Sequence, residues 1–272
     1  MANISASSPI GIFDSGIGGL TVANAIHELM PKESLIYFGD TAHLPYGDKS
    51  SSAIKSYSKK ISEFLLNQNC KIIVIACNSA SSTAYDTVRK IVPTSIPVIN
   101  VIDPVVDYIT KTKKRNRIGV IGTKATIKTR VYPKRINQKN KTAKVNSLAT
   151  PLLAPMIEEG FFDNNISQTI INNYLSKKPL SNIDSLILAC THYPLIEKEV
   201  KKYYGSKVFI VNSANIVAKK VRDVLKKKKL LTLAKRAKHH FYISDYTSSF
   251  DKSTKIFFKG KIKLEKKNLW KD

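Results

Sequence analysis

Three cysteines in 272 residues is a sparse supply. They are too few and too widely spaced for a disulfide framework, which points to a reducing compartment. No apolar run approaches the ~20 residues that span a bilayer. Residues Met1 to Pro9 have neither the basic stretch nor the apolar stretch of a secretory leader. A cytoplasmic protein with no membrane partner is expected. Acidic residues are also scarce: 20 Asp+Glu stand against 45 Lys+Arg, a net charge of +25. A basic surface attracts phosphate. The lysines are scattered among Asn and Ile, however, and no basic-aromatic motif of the kind that stacks bases is present. Biased composition accounts for the charge better than nucleic-acid binding does. The Lys-Ser/Thr of a P-loop and the full dinucleotide glycine spacing are missing as well. Nothing points to a pyridoxal lysine or a nucleotide cofactor. His239 and His240 have no neighbours at metal-ligand spacing.

What is there is a globular chain, 43% hydrophobic and long enough for two domains. Two stretches share one grammar. Ile72-Ile73-Val74-Ile75-Ala76-Cys77-Asn78-Ser79-Ala80 and Leu186-Ile187-Leu188-Ala189-Cys190-Thr191-His192-Tyr193-Pro194 are apolar runs that break off at Ala-Cys and turn polar at once. Each run reads as a buried strand, and Pro194 suits the first turn of a following helix. Both cysteines therefore fall at strand C-terminal ends, the edge where open α/β sheets bind ligands. Cys70 has no such flank and reads as a small core residue.

The rest of the chain alternates strand and helix. Strands are expected at Pro9–Phe13, Leu35–Phe38, Pro97–Ile102, Arg117–Ile121, Val145–Leu148, Val208–Val211 and His239–Ile243. Helices are expected at Leu20–Met30, Ser50–Asn67, Ser81–Val92, Ile166–Leu175, Ile196–Tyr204 and from Ser213 to about Lys229. Asp103-Pro104 reads as a cap and first helical position. Lys134–Lys144 reads as an exposed basic loop, and the tail after Ile243 as mixed. The alternation argues for mostly parallel sheets in two similar α/β domains. The expected division is residues 1–100 plus 213–272 for one and 101–212 for the other, with the site in the cleft between them.

Several strand ends carry chemistry-bearing groups with two readings each. Asp14 is a helix cap or an active-site carboxylate. The glycines of Ser15-Gly16-Ile17-Gly18-Gly19 form a plain turn or an anion cradle. Pro45, Tyr46 and Gly47 lie in a loop that could present backbone donors and a ring to a small substrate, or pack Tyr46 as a lid over the core. Thr123 and Thr126 could receive a carboxylate or cap a helix. Glu158 and Glu159 face a site or end a helix in solvent. Two thiols facing each other across a cleft would supply a base on one side of a carbon and an acid on the other, the requirement for inverting a centre without redox chemistry. Asp14 beside Cys77, and His192 beside Cys190, are candidates to tune or relay those protons.

Phe13-Asp14-Ser15-Gly16-Ile17-Gly18-Gly19-Leu20, Pro45-Tyr46-Gly47, Ala76-Cys77-Asn78-Ser79-Ala80, Gly122-Thr123, Glu158-Glu159-Gly160 and Ala189-Cys190-Thr191-His192-Tyr193-Pro194-Leu195 together resemble the glutamate racemases, in order and spacing, from about residue 9 to 215. The resemblance implies a cofactor-independent enzyme that makes D-glutamate for peptidoglycan, with the first domain completed by the C-terminal segment. It implies that Cys77 takes the α-proton of D-glutamate and Cys190 that of L-glutamate. Asp14, His192 and Glu158 would assist. Asp14, Ser15, Pro45, Tyr46, Gly47, Asn78, Ser79, Thr123, Thr126, Thr191 and His192 would hold the substrate. The family usually has threonine where this chain has Ser79, which keeps the hydroxyl and drops a methyl. A homodimer is one compatible assembly. The rival readings are an aspartate racemase of the same superfamily, a zinc protein using Cys77, Cys190 and His192, and a basic nucleic-acid-binding module.

Overall fold

The computed structural model describes residues 4–111 and 115–270. Its first sheet opens with β1 (Ile10–Asp14), α1 (Leu20–Leu29) and β2 (Leu35–Gly39), followed by α2 (Ser51–Asn67), β3 (Ile72–Ile75), α3 (Asn78–Ile91) and β4 (Val98–Asn100). Helix α4 (Ile102–Thr110) leads to the second sheet. There β5 (Arg117–Gly122), α5 (Lys124–Lys128), α6 (Val131–Lys139), β6 (Lys144–Ala149), α7 (Leu153–Glu158), α8 (Asn165–Leu175), β7 (Ser185–Ala189), α9 (Glu197–Tyr204) and β8 (Phe209–Val211) follow. Helix α10 (Ser213–Lys227) returns the chain to the first sheet, where β9 (His239–Ile243), α11 (Ser248–Phe257) and β10 (Leu264–Lys266) close the described fold.

Every pairing is parallel, in the orders β10-β9-β2-β1-β3-β4 and β6-β5-β7-β8. Parallel sheets need helices on both faces, so their central strands carry apolar runs rather than alternation. All residues of β1, β2, β3 and β7 are accordingly buried. Each buried Ile, Leu or Val contributes about 1.5–3 kcal/mol through removal from water. Helix α10 packs on α1 and α4. One apolar cluster runs from Ile12 and Ile26 through Val105 and Val217 to Val120 and Ile187. The two sheets thus share a core behind the site.

Register places the chemistry. Phe13 pairs with Ile75, so the ends of β1 and β3 lie side by side and carry Asp14 and Cys77. Gly122 pairs with Ala189, so the ends of β5 and β7 carry Thr123 and Cys190.

Three expectations are corrected. Helix α3 begins at Asn78, immediately after Cys77, instead of at Ser81, and Cys77 is its N-cap. Asp103 does not cap α4: the Asn100 side chain accepts from the backbone N–H groups of Ile102 and Asp103 at 2.9 and 2.8 Å. Residues Val131–Lys139 form α6 rather than a basic loop, because Tyr132 and Ile136 fall on one face and are buried. The tail after Ile243 adds a helix and an edge strand.

Candidate active site

Two free cysteines from different sheets border one cavity of about 260 Å³. Ser15, Pro45, Tyr46, Gly47, Cys77, Asn78 and Ser79 line it from the first sheet's loops. Thr123, Glu158, Cys190, Thr191 and His192 line it from the second. A cavity of that size suits a small molecule. A larger hollow beside Tyr108 and Phe209, about 390 Å³, has no thiol or imidazole on its wall and offers no comparable chemistry.

Cys77 sits where β3 gives way to α3. Its Sγ accepts the Ala80 backbone N–H at 3.4 Å and lies 3.6 Å from the Ser15 hydroxyl. Burial pushes the thiol up to about 12, and the nearby Asp14 carboxylate adds to that, against smaller opposing contributions from the Ala80 N–H and Ser15. Asp14 is fully buried and stands behind the cavity wall. One carboxylate oxygen accepts the Gly16 N–H at 3.0 Å, while Oδ1 is buried with no hydrogen-bond partner. Burial raises its pKa; the His192 charge and the Gly19 and Gly16 N–H groups oppose that.

Cys190 has a different surrounding. Its Sγ is 3.6 Å from His192 Nδ1, and His192 Nε2 is 2.8 Å from Glu158 Oε1. That second contact is an ion pair, not an aligned hydrogen bond, since Nε2 has no hydrogen-bond partner of acceptable direction. Burial alone would lower the imidazole's pKa. The Cys190 sulfur and the Glu158 carboxylate outweigh it and hold His192 well above its ordinary 6.5.

The glycine-rich turn after β1 has a use that the sequence did not reveal. A Cβ on Gly18 would overlap the His192 ring and the Thr191 hydroxyl, so the bare backbone lets this turn of the first sheet meet the second. Thr21 Oγ1 donates toward the carbonyls of Gly18 and Thr191, both at 2.9 Å, and joins the same two elements. A Cβ on Gly47 would lie 2.9 Å from Thr123 Cβ, a second close approach across the cleft.

Hydroxyls complete the wall. Ser79 Oγ and Thr123 Oγ1 are 2.9 Å apart, and Thr123 caps α5. Thr126 is buried and reaches the cavity only through its contacts with Ser79 and Thr123. Tyr46 borders the cavity and packs into the apolar core, and its hydroxyl donates to Asp40 at 2.6 Å. Glu158 faces the site, and Glu159, exposed, does not border it. Gly16, from the candidate anion cradle, is on the wall, and sequence reasoning missed Leu44, Ala154 and Pro155 beside it. It also missed Tyr132, whose hydroxyl donates to Asn78 Oδ1 at 2.8 Å and fixes that amide from the other side of the cleft. A helical reading of 131–139 would have pointed to Tyr132. Among the described residues, no group of three or more His, Cys, Asp and Glu side chains is arranged to hold a metal ion. No described helix is long and apolar enough to cross a membrane.

The model of the Asp/Glu/hydantoin racemase family matches residues 18–221. The chain belongs to that family. It is similar to a glutamate racemase of Geobacter metallireducens, 39% identical over 254 residues and 93% of each chain. It is also similar to one of a Sulfurihydrogenibium species, 42% identical over 259 residues, 95% of this chain and 96% of the other. The crystal structure of glutamate racemase from Francisella tularensis in complex with D-glutamate superposes with a TM-score of 0.92 at 37% identity, covering 97% of this chain and 99% of that one. This racemase thus shares the whole two-sheet arrangement with its relatives.

Proposed function

We propose that this racemase interconverts L- and D-glutamate without a cofactor, by two thiols acting on opposite faces of the α-carbon. One observation carries the reading: Cys77 and Cys190, at equivalent strand ends of two separate sheets, border a single cavity. In the L-to-D direction, the Cys190 thiolate takes the α-hydrogen and becomes a thiol. The electron pair left on carbon delocalises into the adjacent carboxylate. Cys77 then gives its proton to the opposite face and becomes a thiolate. The D-to-L direction reverses both transfers. His192 assists Cys190, with Glu158 holding the imidazole charged, and Asp14 assists Cys77. Backbone N–H groups at the start of α3 and the hydroxyls of Ser15, Ser79, Thr123 and Thr191 are placed to meet the carboxylates, where preformed donors lower the cost of the developing charge. Pro45, Tyr46, Gly47 and Asn78 complete the enclosure.

The division into residues 1–100 plus 213–272 and 101–212 follows from this reading, since each sheet supplies one thiol. The likeness to glutamate racemases supports a role in supplying D-glutamate for peptidoglycan synthesis in the cytoplasm. Circular dichroism of pure D- and L-glutamate, followed without added cofactor, tests the assignment. Optical activity should decay to zero from either enantiomer, and pure aspartate should keep its signal. Cys77→Ala and Cys190→Ala should each reduce inversion by at least about 10³-fold. Inversion retained in either variant would refute the two-thiol assignment.

A further inference from the structure

We propose that Trp270 and Asp40 form a clamp that sets the position of the 41–48 loop, which makes Trp270 a positioning residue for the racemase reaction. The proposal rests on the reading of the site given above and extends it to a residue outside the cavity wall. Asp40 follows β2 and is wholly buried. A buried carboxylate is costly unless donors surround it. Asp40 has four side-chain partners. Its Oδ1 accepts from Ser244 Oγ at 2.8 Å and from Trp270 Nε1 at 3.0 Å. Its Oδ2 accepts from the Tyr46 hydroxyl at 2.6 Å, and His43 Nδ1 lies 3.0 Å from the same oxygen.

Two of these partners, His43 and Tyr46, belong to the loop itself, and Tyr46 borders the cavity next to Pro45 and Gly47. The other two come from the segment beyond β9. Ser244 Oγ also accepts the Ala42 N–H at 2.8 Å, a further fixed point on the loop. The rings repeat the pattern. His43 stacks on Tyr57 with centroids 4.0 Å apart, and Trp270 meets His43 edge-on at 4.5 Å and Tyr57 at 5.3 Å. Trp270 therefore grips the loop twice, by a hydrogen bond through Asp40 and by ring contact through His43. A chain of direct bonds runs from the indole to Asp40, to the Tyr46 hydroxyl, and so to the cavity wall.

A clamp that positions a binding loop acts on substrate affinity before it acts on proton transfer. Trp270→Phe keeps most of the ring packing and removes the N–H donor. It should raise KM for both enantiomers of glutamate about five-fold with kcat within about two-fold of the parent, the scale of one ordinary hydrogen bond. The melting temperature and far-UV spectrum, measured on the same sample, should stay close to those of the parent. Trp270 is the one tryptophan of the chain. The emission of the unmodified protein therefore reports the clamp, and D-glutamate should change it saturably. A KM in Trp270→Phe equal to the parent's overturns the clamp. So does emission that stays flat through saturating glutamate while turnover is normal. A protein that neither turns over nor binds glutamate fails one step earlier, at the proposed function, and takes the clamp with it.

Discussion

The two flanks of the cavity occupy equivalent places in their sheets and differ in electrostatics. Cys77 and Cys190 each follow an alanine at the end of a buried parallel strand. The Cys77 flank pairs a desolvated thiol with a desolvated carboxylate, and burial raises the pKa of both groups. The Cys190 flank pairs its sulfur with an imidazole whose pKa burial alone would lower and which the sulfur and Glu158 raise well above 6.5. Similar backbones therefore set a thiol beside a buried carboxylate at one side and a thiol beside an imidazole paired with Glu158 at the other. The difference teaches that backbone symmetry places the two thiols, and that the side chains behind them give each a different electrostatic surrounding.

The largest break in this comparison should come from Gly18→Ala. The added methyl overlaps the His192 ring and the Thr191 hydroxyl, so the 15–19 turn and the Cys190 flank must shift apart. A shift of this kind costs about 10²-fold in turnover, read as kcat on either enantiomer with folding checked by thermal melting. Next come His192→Asn and Asp14→Asn. Because the two enantiomers have equal free energy, kcat/KM must fall equally in both directions for any variant. The contrast lies in kcat, with KM changing in proportion: His192→Asn should reduce kcat more from L-glutamate, and Asp14→Asn more from D-glutamate. Equal losses in both variants would erase the assigned partnership.

A pH experiment sharpens the comparison. Alkylation needs the thiolate, and burial and Asp14 push Cys77 up to about 12. In a Cys70→Ala/Cys190→Ala background, the rate at Cys77 should keep rising with pH beyond 9, by about tenfold per unit. A plateau by about pH 10 would show an ordinary thiol. The smallest effect is expected from Ser79→Thr, which restores a methyl and keeps the hydroxyl that meets Thr123 at 2.9 Å. Its kcat/KM should stay within about two-fold of the parent.

How far the sequence spoke for this site depends on the kind of signal. Ile72–Ile75 and Leu186–Ala189 were legible as strands because parallel sheets buried on both faces demand unbroken apolar runs. Their polar successors therefore marked the cavity directly. Tyr132 was hidden in a lysine-rich stretch, where charge frequency outweighed the Tyr132–Ile136 helical spacing. The role of Gly18 was hidden for another reason: a close approach between segments 173 residues apart, Gly18 and Thr191, leaves no local trace. The Asp40 network joins groups from Tyr46, Ser244 and Trp270. Long-range polar contacts of that type have no periodicity to read. Asp103 misled because Asp-Pro is a start signal in general, whereas here Asn100 reaches the free N–H groups first.

The central claim is that two different groups carry the departing and arriving protons, and one isotope experiment addresses it. L-Glutamate is incubated in D2O, and the first few per cent of turnover is analysed by enantiomer-resolved mass spectrometry. Two thiols on opposite faces predict D-glutamate carrying deuterium at Cα, while the recovered L-glutamate keeps its hydrogen. Product that retains the original hydrogen, or substrate labelled as heavily as product, would mean that one group serves both faces and would contradict the account.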